Sequence, residues 1–275
     1  MWRQWRDVLA GEGSGSAVID AKRLTAHALG LSDLDLAVRE QEQVDPDAAA
    51  RVEALMRRRL TGESVARIIG EREFYGLAFT LNAATLEPRP ETELLVDMAL
   101  ARLPGGGRLL DLGTGTGCIP IAVLANRPEA TAVAVDLSAE ALEAARTNAR
   151  RNGVGERIGF VQGSWFTPLA EAGLFHLIVS NPPYIASAVV STLAPEVQAF
   201  DPTLALDGGP DGLVPYRVIA AEAPQHLASG GELLLEIGYD QGEAVTAILA
   251  GQGWRDVTVY KDLAGLDRVV SATHL

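Results

Sequence analysis

The sequence predicts an α/β fold: a mostly parallel sheet of seven strands with helices on both faces, preceded by a small helical domain and a β-hairpin. Three observations predict it. From residue 108 onward, apolar strands alternate with helical segments, and such alternation gives a parallel sheet covered on both faces. Residues 1–73 show only helical periodicity. Between them, residues 74–81 alternate apolar and other positions around a glycine, which is typical of a hairpin.

The chain is predicted to divide into three parts. Residues 1–73 form the helical domain, in which Gly30 ends one helix and Asp45 followed by Pro46 caps and starts another. Residues 74–90 form the hairpin linker. Residues 91–275 form the larger domain, whose first helix covers residues 94–103 and starts at Pro90 or is capped by Thr92.

Seven segments of the larger domain are predicted to be strands. The fourth is an uninterrupted apolar run that two prolines stop abruptly, which is typical of a buried parallel strand. The predicted strands cover residues 108–112, 131–136, 158–161, 174–180, 231–237, 256–260 and 268–273.

Charge and composition restrict the partners. Residues 74–275 carry 12 Lys and Arg against 23 Asp and Glu, a net charge of −11, and such a domain repels nucleic-acid phosphates. The single Cys118 excludes an intrachain disulfide and indicates a reducing compartment. The amino terminus lacks the apolar core of a signal peptide, and Asn181-Pro182-Pro183 would break the uncharged stretch of residues 174–195 as a membrane span. We therefore expect a cytoplasmic protein that binds neither nucleic acid nor membrane.

A glycine-rich loop follows the first strand of the sheet. Gly113-Thr114-Gly115-Thr116-Gly117 places three glycines at alternate positions, so that the backbone can turn tightly and a ligand can lie against it. Asp111, just before the loop, would repel a pyrophosphate but attract an amino group. The second strand ends in Asp136, where a carboxylate can bind both hydroxyls of a ribose. A nucleoside with a cationic amino-acid tail, S-adenosylmethionine, satisfies both carboxylates.

The fourth strand ends in Asn181-Pro182-Pro183-Tyr184. The prolines lack a backbone N–H and hold Asn181 extended at the edge where open α/β sheets bind ligands. The resulting pocket is rich in acceptors, poor in donors and has an aromatic wall, which suits a planar NH2 group. Together with the glycine loop, this motif predicts a Rossmann-like class I S-adenosylmethionine-dependent methyltransferase, whose second product is S-adenosylhomocysteine.

Two expectations concern other ligand contacts. Trp165, just after the third strand, is expected to stack on the adenine, an interaction worth roughly 1–3 kcal/mol; an ordinary core tryptophan is the alternative. The four histidines show no ligand spacing with other His, Cys or acidic residues, so no metal site is expected.

Longer stretches carry a resemblance to a known family. Asn181-Pro182-Pro183-Tyr184 resembles the active-site motif of methyltransferases that modify amide and exocyclic amino nitrogens. Other segments are similar to the PrmC/HemK family from about residue 65 to the end, whereas the helical part is similar in character only. These segments are residues 70–77, 88–93, 204–213 and 261–265.

The resemblance implies a substrate and a set of contacts. The family methylates the side-chain nitrogen N5 of the glutamine in the Gly-Gly-Gln motif of class 1 peptide chain release factors, and its helical domain would dock that substrate. Carried over by position, the cofactor contacts fall on Gly113–Gly117, Asp136, Trp165 and Asn181, and the substrate pocket on Asn181–Tyr184. We expect the Asn181 side-chain oxygen and the Pro182 carbonyl each to accept one amide N–H, with Tyr184 stacked on the amide.

Three residues depart from the family pattern. Ser164 replaces an acid before Trp165, Leu266 replaces an arginine after Ala-Gly, and Glu87 replaces an apolar residue before Pro88. These departures concern single local contacts.

Two kinds of alternative function stay open. One is an N-methyltransferase that acts on an exocyclic amino group of a nucleobase or on another protein glutamine; the negative charge disfavours the nucleobase. The other is a non-catalytic cofactor-binding or scaffold protein, which the intact loop and motif disfavour.

Overall fold

Two units make up residues 1–274, the part of the chain that the computed structural model describes. The first unit holds Met1–Glu71 together with Ala194–Phe200. The second holds Arg72–Leu193 and the residues from Asp201 onward. A short segment from far along the chain therefore packs with the amino-terminal helices, and no pattern in the sequence predicted this.

The first unit is helical, as predicted. Its helices are α1 (Trp2–Gly11), α2 (Ala17–Leu29), α3 (Asp33–Val38), α4 (Pro46–Leu60) and α5 (Val65–Ile69). Gly30 ends α2 in the left-handed conformation, with φ at 64°. The Asp45 side chain caps α4 by accepting the Ala48 N–H at 2.9 Å. Beyond α4, Gly62 lies against the later segment: a Cβ on Gly62 would be 3.2 Å from the Glu196 Cβ.

Three consecutive arginines end α4, and each pairs with a carboxylate within the first unit. The pair between α4 and α2 is the least exposed of the three and joins the two helices. The run is thus a set of ion pairs rather than an open basic patch. The pairs are Arg57–Glu53 at 2.6 Å, Arg58–Glu63 at 2.6 Å and Arg59–Asp20 at 2.8 Å.

All seven predicted strands of the sheet are confirmed. The strands are β1 (Glu71–Phe74), β2 (Leu77–Thr80), β3 (Arg108–Leu112), β4 (Thr131–Asp136), β5 (Ile158–Gln162), β6 (Phe175–Ser180), β7 (Leu227–Glu236), β8 (Arg255–Lys261) and β9 (Asp267–Thr273). The seven strands of the sheet lie in the order β5-β4-β3-β6-β7-β9-β8, and β9 runs antiparallel to both of its neighbours. β7 begins four residues before its predicted start.

The predicted hairpin forms as β1 and β2, but it begins earlier than expected. β1 starts at Glu71, inside the stretch of residues 1–73 that was predicted to be helical, because Gly70 ends α5 in the left-handed conformation with φ at 81°.

Helices cover both faces of the sheet. The helices after α5 are α6 (Glu93–Arg102), α7 (Cys118–Asn126), α8 (Ala139–Arg151), α9 (Ser187–Val190), α10 (Pro195–Phe200), α11 (Val214–Glu222) and α12 (Gly242–Gly251). Alternate residues of β3 and β6 point into two separate cores. Leu109 and Leu177 pack with residues of α6 and α7, whereas Leu110 and Ile178 pack with residues of α11 and α12.

The central strands β3 and β6 end at the same level. Leu112 is paired with Ser180 in the parallel register, and the buried Ser180 hydroxyl donates to the Leu112 carbonyl at 2.7 Å. The segments that follow the two strands, the glycine loop and Asn181, therefore start side by side.

Asn148 on α8 connects the hairpin to the glycine loop. This fully buried side chain accepts the Thr80 N–H at 2.8 Å and donates to the Thr80 carbonyl at 3.1 Å and the Thr116 carbonyl at 3.0 Å. One amide thus satisfies three backbone groups on two other segments.

Replacing Asn148 with alanine should destabilise the protein by about 2–4 kcal/mol, because the three backbone groups lose their partner in a buried place. Urea denaturation measures this loss. Asn126→Ala is the matched control: its exposed side chain bonds only the Ala122 carbonyl of its own helix, and we expect a change within about 0.5 kcal/mol. A loss below about 1 kcal/mol for Asn148→Ala would contradict this role.

Candidate active site

A cavity of about 420 Å³ lies at the carboxyl ends of the parallel strands in the second unit. This volume is within the range of about 300–1,000 Å³ that small-ligand sites have. Eight of the predicted site residues line it: Gly113, Thr114, Gly115, Thr116, Asp136, Trp165, Asn181 and Pro183.

The other four predicted site residues are not among those that line the cavity. Asp111 and Pro182 are buried, Gly117 precedes α7, and Tyr184 is half-buried against the core on the α11 side of the sheet. Burial raises the pKa of the Tyr184 hydroxyl, so its ring stays neutral. The structure thus brings the glycine loop, Asp136, Trp165 and Asn181 around one space.

Asp136 fixes the glycine loop. Its Oδ2 accepts the Gly115 N–H at 2.8 Å and its Oδ1 accepts the Ser138 N–H at 2.9 Å. Burial raises the pKa of this carboxyl, and these backbone N–H groups act in the opposite direction. A carboxylate has about four acceptor positions, so the backbone contacts do not use all of them and acceptor capacity remains for a ligand in the cavity.

Gly117 ends the loop with φ at 78°, a left-handed conformation that favours glycine where the chain enters α7.

Asp111 is a buried carboxyl without a hydrogen-bond partner among residues 1–274. It has no exposed surface, and neither of its oxygens is bonded. Burial and, to a smaller extent, the charge of Asp136 raise the pKa of Asp111 to about 7. The nearby Thr114 hydroxyl acts to lower this pKa, although it does not meet hydrogen-bond geometry with the carboxyl. An unpaired acid below the loop offers a place for a cationic donor.

Asn181 lines the cavity. Its NH2 group donates to the Thr92 hydroxyl at 3.3 Å, so its side-chain oxygen is the end of the amide that this contact does not use. Thr92 does not serve as the expected helix cap: the turn before α6 begins at Pro90, and the Thr92 side chain makes no capping bond. The buried hydroxyl of Thr92 bonds Asn181 instead, a contact that a capping pattern in the sequence cannot distinguish.

The segment of residues 204–213, noted for its resemblance alone, closes on the Asn-Pro-Pro-Tyr motif. Ile185 donates its N–H to the Leu206 carbonyl at 3.0 Å, and Gly208 donates to the Ile185 carbonyl at 2.8 Å. A Cβ on Gly208 would lie 2.7 Å from the Pro183 carbonyl oxygen. The glycine therefore allows direct backbone packing against the motif.

Sequence reasoning missed Glu236. It ends β7 with 2% of its surface exposed, and its Oε2 has no hydrogen-bond partner within the described residues. Burial raises its pKa to about 7, against the effects of Thr92, Arg268 and Asn181. The signal was present: Glu236 follows an apolar strand run, as Asp111 and Asp136 do.

Trp165 and the three departures have defined places. Trp165 lines the cavity with φ at 49°, a left-handed conformation that is rare for a bulky residue and typical of strained functional segments. Ser164 lines the cavity beside it, and so does Glu87, which pairs with Arg72 at 3.3 Å. Leu266 is 44% exposed, and its apolar side chain cannot form the ion pairs that an arginine at this position could form.

No helix among residues 1–274 has the length and apolar composition of a membrane span. Within the same residues, no group of three or more His, Cys, Asp or Glu side chains is arranged to hold a metal ion.

The strand order, the glycine loop after β3 and the acids that end β3 and β4 define the class I S-adenosylmethionine-dependent methyltransferase fold. A methyltransferase structure from Pyrococcus furiosus shares this fold with a TM-score of 0.55 and 19% identity, covering 80% of this chain and 98% of that one. Family models described as "PrmC N-terminal domain" and "Methyltransferase small domain" match residues 1–70 and 90–197.

The chain belongs to the release factor glutamine methyltransferase family. The protein of that name from Agrobacterium fabrum is 45% identical over 272 residues, which cover 97% of this chain and 93% of the relative. The one from Cereibacter sphaeroides is 47% identical over 264 residues, covering 96% and 94%.

Asp111→Asn should make the ligand-free protein more stable relative to wild type as the pH rises. The pKa of Asp111 is about 7 in the folded protein, above its ordinary value of 3.8. The wild-type protein therefore loses about 4 kcal/mol of its free energy of unfolding as the pH rises from 3.8 to 7, because Asp111 ionises at a lower pH in the unfolded chain than in the folded one. Between pH 5 and 7 the difference should grow by about 2–3 kcal/mol and then level off. Urea denaturation across this range measures it, with Asp47→Asn on the exposed start of α4 as control. A pH-independent difference would contradict the buried, unpaired state of Asp111.

Proposed function

We propose that this chain transfers a methyl group from S-adenosylmethionine to the side-chain nitrogen N5 of the glutamine in the Gly-Gly-Gln motif of class 1 peptide chain release factors. One observation carries the proposal. Asn181, at the carboxyl end of β6, lines the same cavity as the glycine loop and Asp136, and its NH2 group is bonded to Thr92. The activity named for the relatives at 45% and 47% identity supports it.

The residues present fit the cofactor. The unpaired carboxyl of Asp111 matches a charged amino group, and the acceptor capacity that Asp136 keeps beside its backbone contacts suits the hydroxyls of a ribose. The glycine loop brings backbone close to the ligand without side chains, and Trp165 at the cavity wall supplies an aromatic face for the adenine. Asn181 completes this set of contacts at the methyl end.

S-Adenosylmethionine supplies a methyl group made electrophilic by the sulfonium. The amide nitrogen of glutamine is a poor nucleophile, because its lone pair is delocalised into the carbonyl. We assign the Asn181 side-chain oxygen and the Pro182 carbonyl as acceptors for the two amide N–H groups. Fixed acceptors aimed at the positive charge that develops on nitrogen stabilise the transition state.

Pro183 and Tyr184 position the acceptors and the substrate. Pro183 lines the cavity and, like Pro182, contributes no N–H that could compete for the acceptors. Tyr184 is held through its backbone carbonyl, which accepts from the Gln241 side chain at 2.9 Å. Its ring packs against the core and does not line the cavity in the ligand-free structure. The proposed stacking of this neutral ring on the amide plane, which would fix the angle of attack, therefore requires the ring to move toward the cavity when the substrate binds.

Release factors are the proposed partners, and the helical domain of residues 1–73 is the proposed docking module. The match of residues 1–70 to the PrmC N-terminal domain supports this role. The net charge of −11 on residues 74–275 disfavours a nucleobase acceptor. The single cysteine supports the proposed cytoplasmic location.

Cofactor affinity should fall as the pH is lowered. Asp111, with a pKa of about 7, must lose its proton before it can pair with a cationic amino group. We expect the Kd for S-adenosylmethionine to rise about tenfold from pH 8 to pH 6, measured by calorimetry. Asp111→Asn should bind weakly at both pH values and show no such trend. An unchanged wild-type Kd over this range would refute the pairing.

Asn181→Ala should slow methyl transfer by about 10²–10³, by analogy with deleting one oxyanion-hole donor, and leave cofactor binding largely intact. The substitution removes one of two acceptors. Asn181→Asp keeps the shape but adds charge beside the sulfonium, so it should bind cofactor at least as well as wild type and still turn over slowly.

Single-turnover methylation of a release factor at saturating cofactor measures both Asn181 variants. Asn126→Ala, on the exposed end of α7, is the control and should behave as wild type. Bulk nucleic acid in a parallel reaction tests the nucleobase alternative. A rate for Asn181→Ala within a few-fold of wild type would remove this residue from the mechanism.

A further inference from the structure

The proposed chemistry leaves Glu236 without a role, although its place in the sheet is central. β6 and β7 run parallel, with Ser180 opposite Leu235. The next residue on each strand is Asn181 and Glu236, so these two side chains leave the sheet beside each other. Glu236 does not line the cavity, so it reaches the substrate only through other residues.

The side chains around Glu236 form a chain of defined polarity. An ionised carboxylate only accepts hydrogen bonds. The Thr92 hydroxyl and the Asn181 side chain lie close enough to the Glu236 carboxyl to lower its pKa, and the Asn181 NH2 group donates to the Thr92 hydroxyl at 3.3 Å. A hydroxyl that donates to the carboxylate can accept from Asn181 at the same time.

We propose that Glu236, with Thr92, is a positioning residue that fixes which end of the Asn181 side-chain amide faces the substrate. The oxygen and NH2 ends of an asparagine have nearly the same shape, so packing alone does not select between them. Two acceptors behind Asn181 hold its NH2 end and turn its oxygen into the cavity. If the Asn181 amide were turned around, its NH2 group would face the NH2 group of the substrate glutamine, and neither could accept a hydrogen bond from the other. This inference rests on the proposed function, in which the Asn181 oxygen accepts a substrate N–H.

The selection depends on the charge of Glu236. When protonated, its hydroxyl can donate to Thr92, and Thr92 can then donate to the Asn181 oxygen, which reverses the chain. Burial raises the pKa of Glu236 to about 7; Arg268 opposes this and Glu91 adds to it. The remaining titratable groups facing it are Tyr184, Tyr216 and Cys118, and burial raises the pKa of each, so that all three stay protonated near neutral pH.

The first experiment measures kcat between pH 6 and 8.5 at saturating cofactor and release factor. In wild type, kcat should rise with pH through an apparent pKa near 7. Glu236→Gln matches the neutral form of the side chain, so the fold accepts it, but an amide can donate as well as accept. We expect kcat about 10- to 100-fold lower, without the acid limb, and a cofactor Kd within about twofold of wild type. Saturating cofactor removes the separate effect of Asp111.

Matched variants separate positioning from other roles. Glu232→Gln, on the same strand and paired with Arg102 at 3.0 Å, should keep the wild-type rate and profile. Thr92→Val, which replaces the hydroxyl with a methyl group of similar size, should lower kcat as Glu236→Gln does, whereas Thr92→Ser, which keeps the hydroxyl, should retain the wild-type kcat. The double variant should be no slower than either single variant, because both act through one chain.

A nuclear magnetic resonance measurement decides the inference without turnover. The side-chain NH2 resonances of Asn181, assigned by their loss in Asn181→Ala, should titrate near pH 7 in wild type and not in Glu236→Gln. The inference is overturned if the pH dependence of these resonances is the same in wild type and in Glu236→Gln. It is also overturned if Glu236→Gln keeps the wild-type dependence of kcat on pH, or if Thr92→Val has the wild-type kcat. Absence of wild-type turnover on a release factor would instead contradict the proposed function.

Discussion

The site depends on the register between the two central strands. Leu112 and Ser180 are paired, and the Ser180 hydroxyl bonds the Leu112 carbonyl at 2.7 Å in a fully buried position. Because parallel strands end at the same edge, this one contact sets the level at which the glycine loop and the Asn-Pro-Pro-Tyr motif leave the sheet. A shift by one residue would also exchange the two faces of each strand, so the two cores enforce the same register that the site needs.

Two buried acidic side chains lack hydrogen-bond partners for at least one of their oxygens within the described residues. Asp111 and Glu236 end neighbouring parts of the sheet, each with unpaired oxygen and a pKa near 7. Neither stabilises the ligand-free fold at neutral pH, and Trp165 adds backbone strain at the same cavity. Such groups are retained where binding or orientation needs them, which is the usual conflict between stability and function.

The sequence was sufficient for the strands and the cavity because their signals are local. Apolar runs define β3, β4 and β6, and the acids and glycines that end them mark the site directly. Thr92 and Glu236 were misread or missed for the opposite reason. Each owes its role to a neighbour far along the chain, Asn181, and local patterns of capping or strand ending look the same with or without that neighbour. The structural role of Asn148 could not be predicted from the sequence either, because its side chain bonds Thr80, which lies 68 residues earlier in the chain.

The packing of Ala194–Phe200 with the amino-terminal helices bears on how such a protein can be cut or recombined. The helical unit is not a continuous stretch of the gene. A truncation that begins at Arg72 would leave α10 in the chain without the helices it packs against, including the Gly62 surface beside Glu196. Exchange of this unit between homologues would need two separate crossovers to keep it whole. A change in the amino-terminal helices therefore has to remain compatible with residues 194–200 as well.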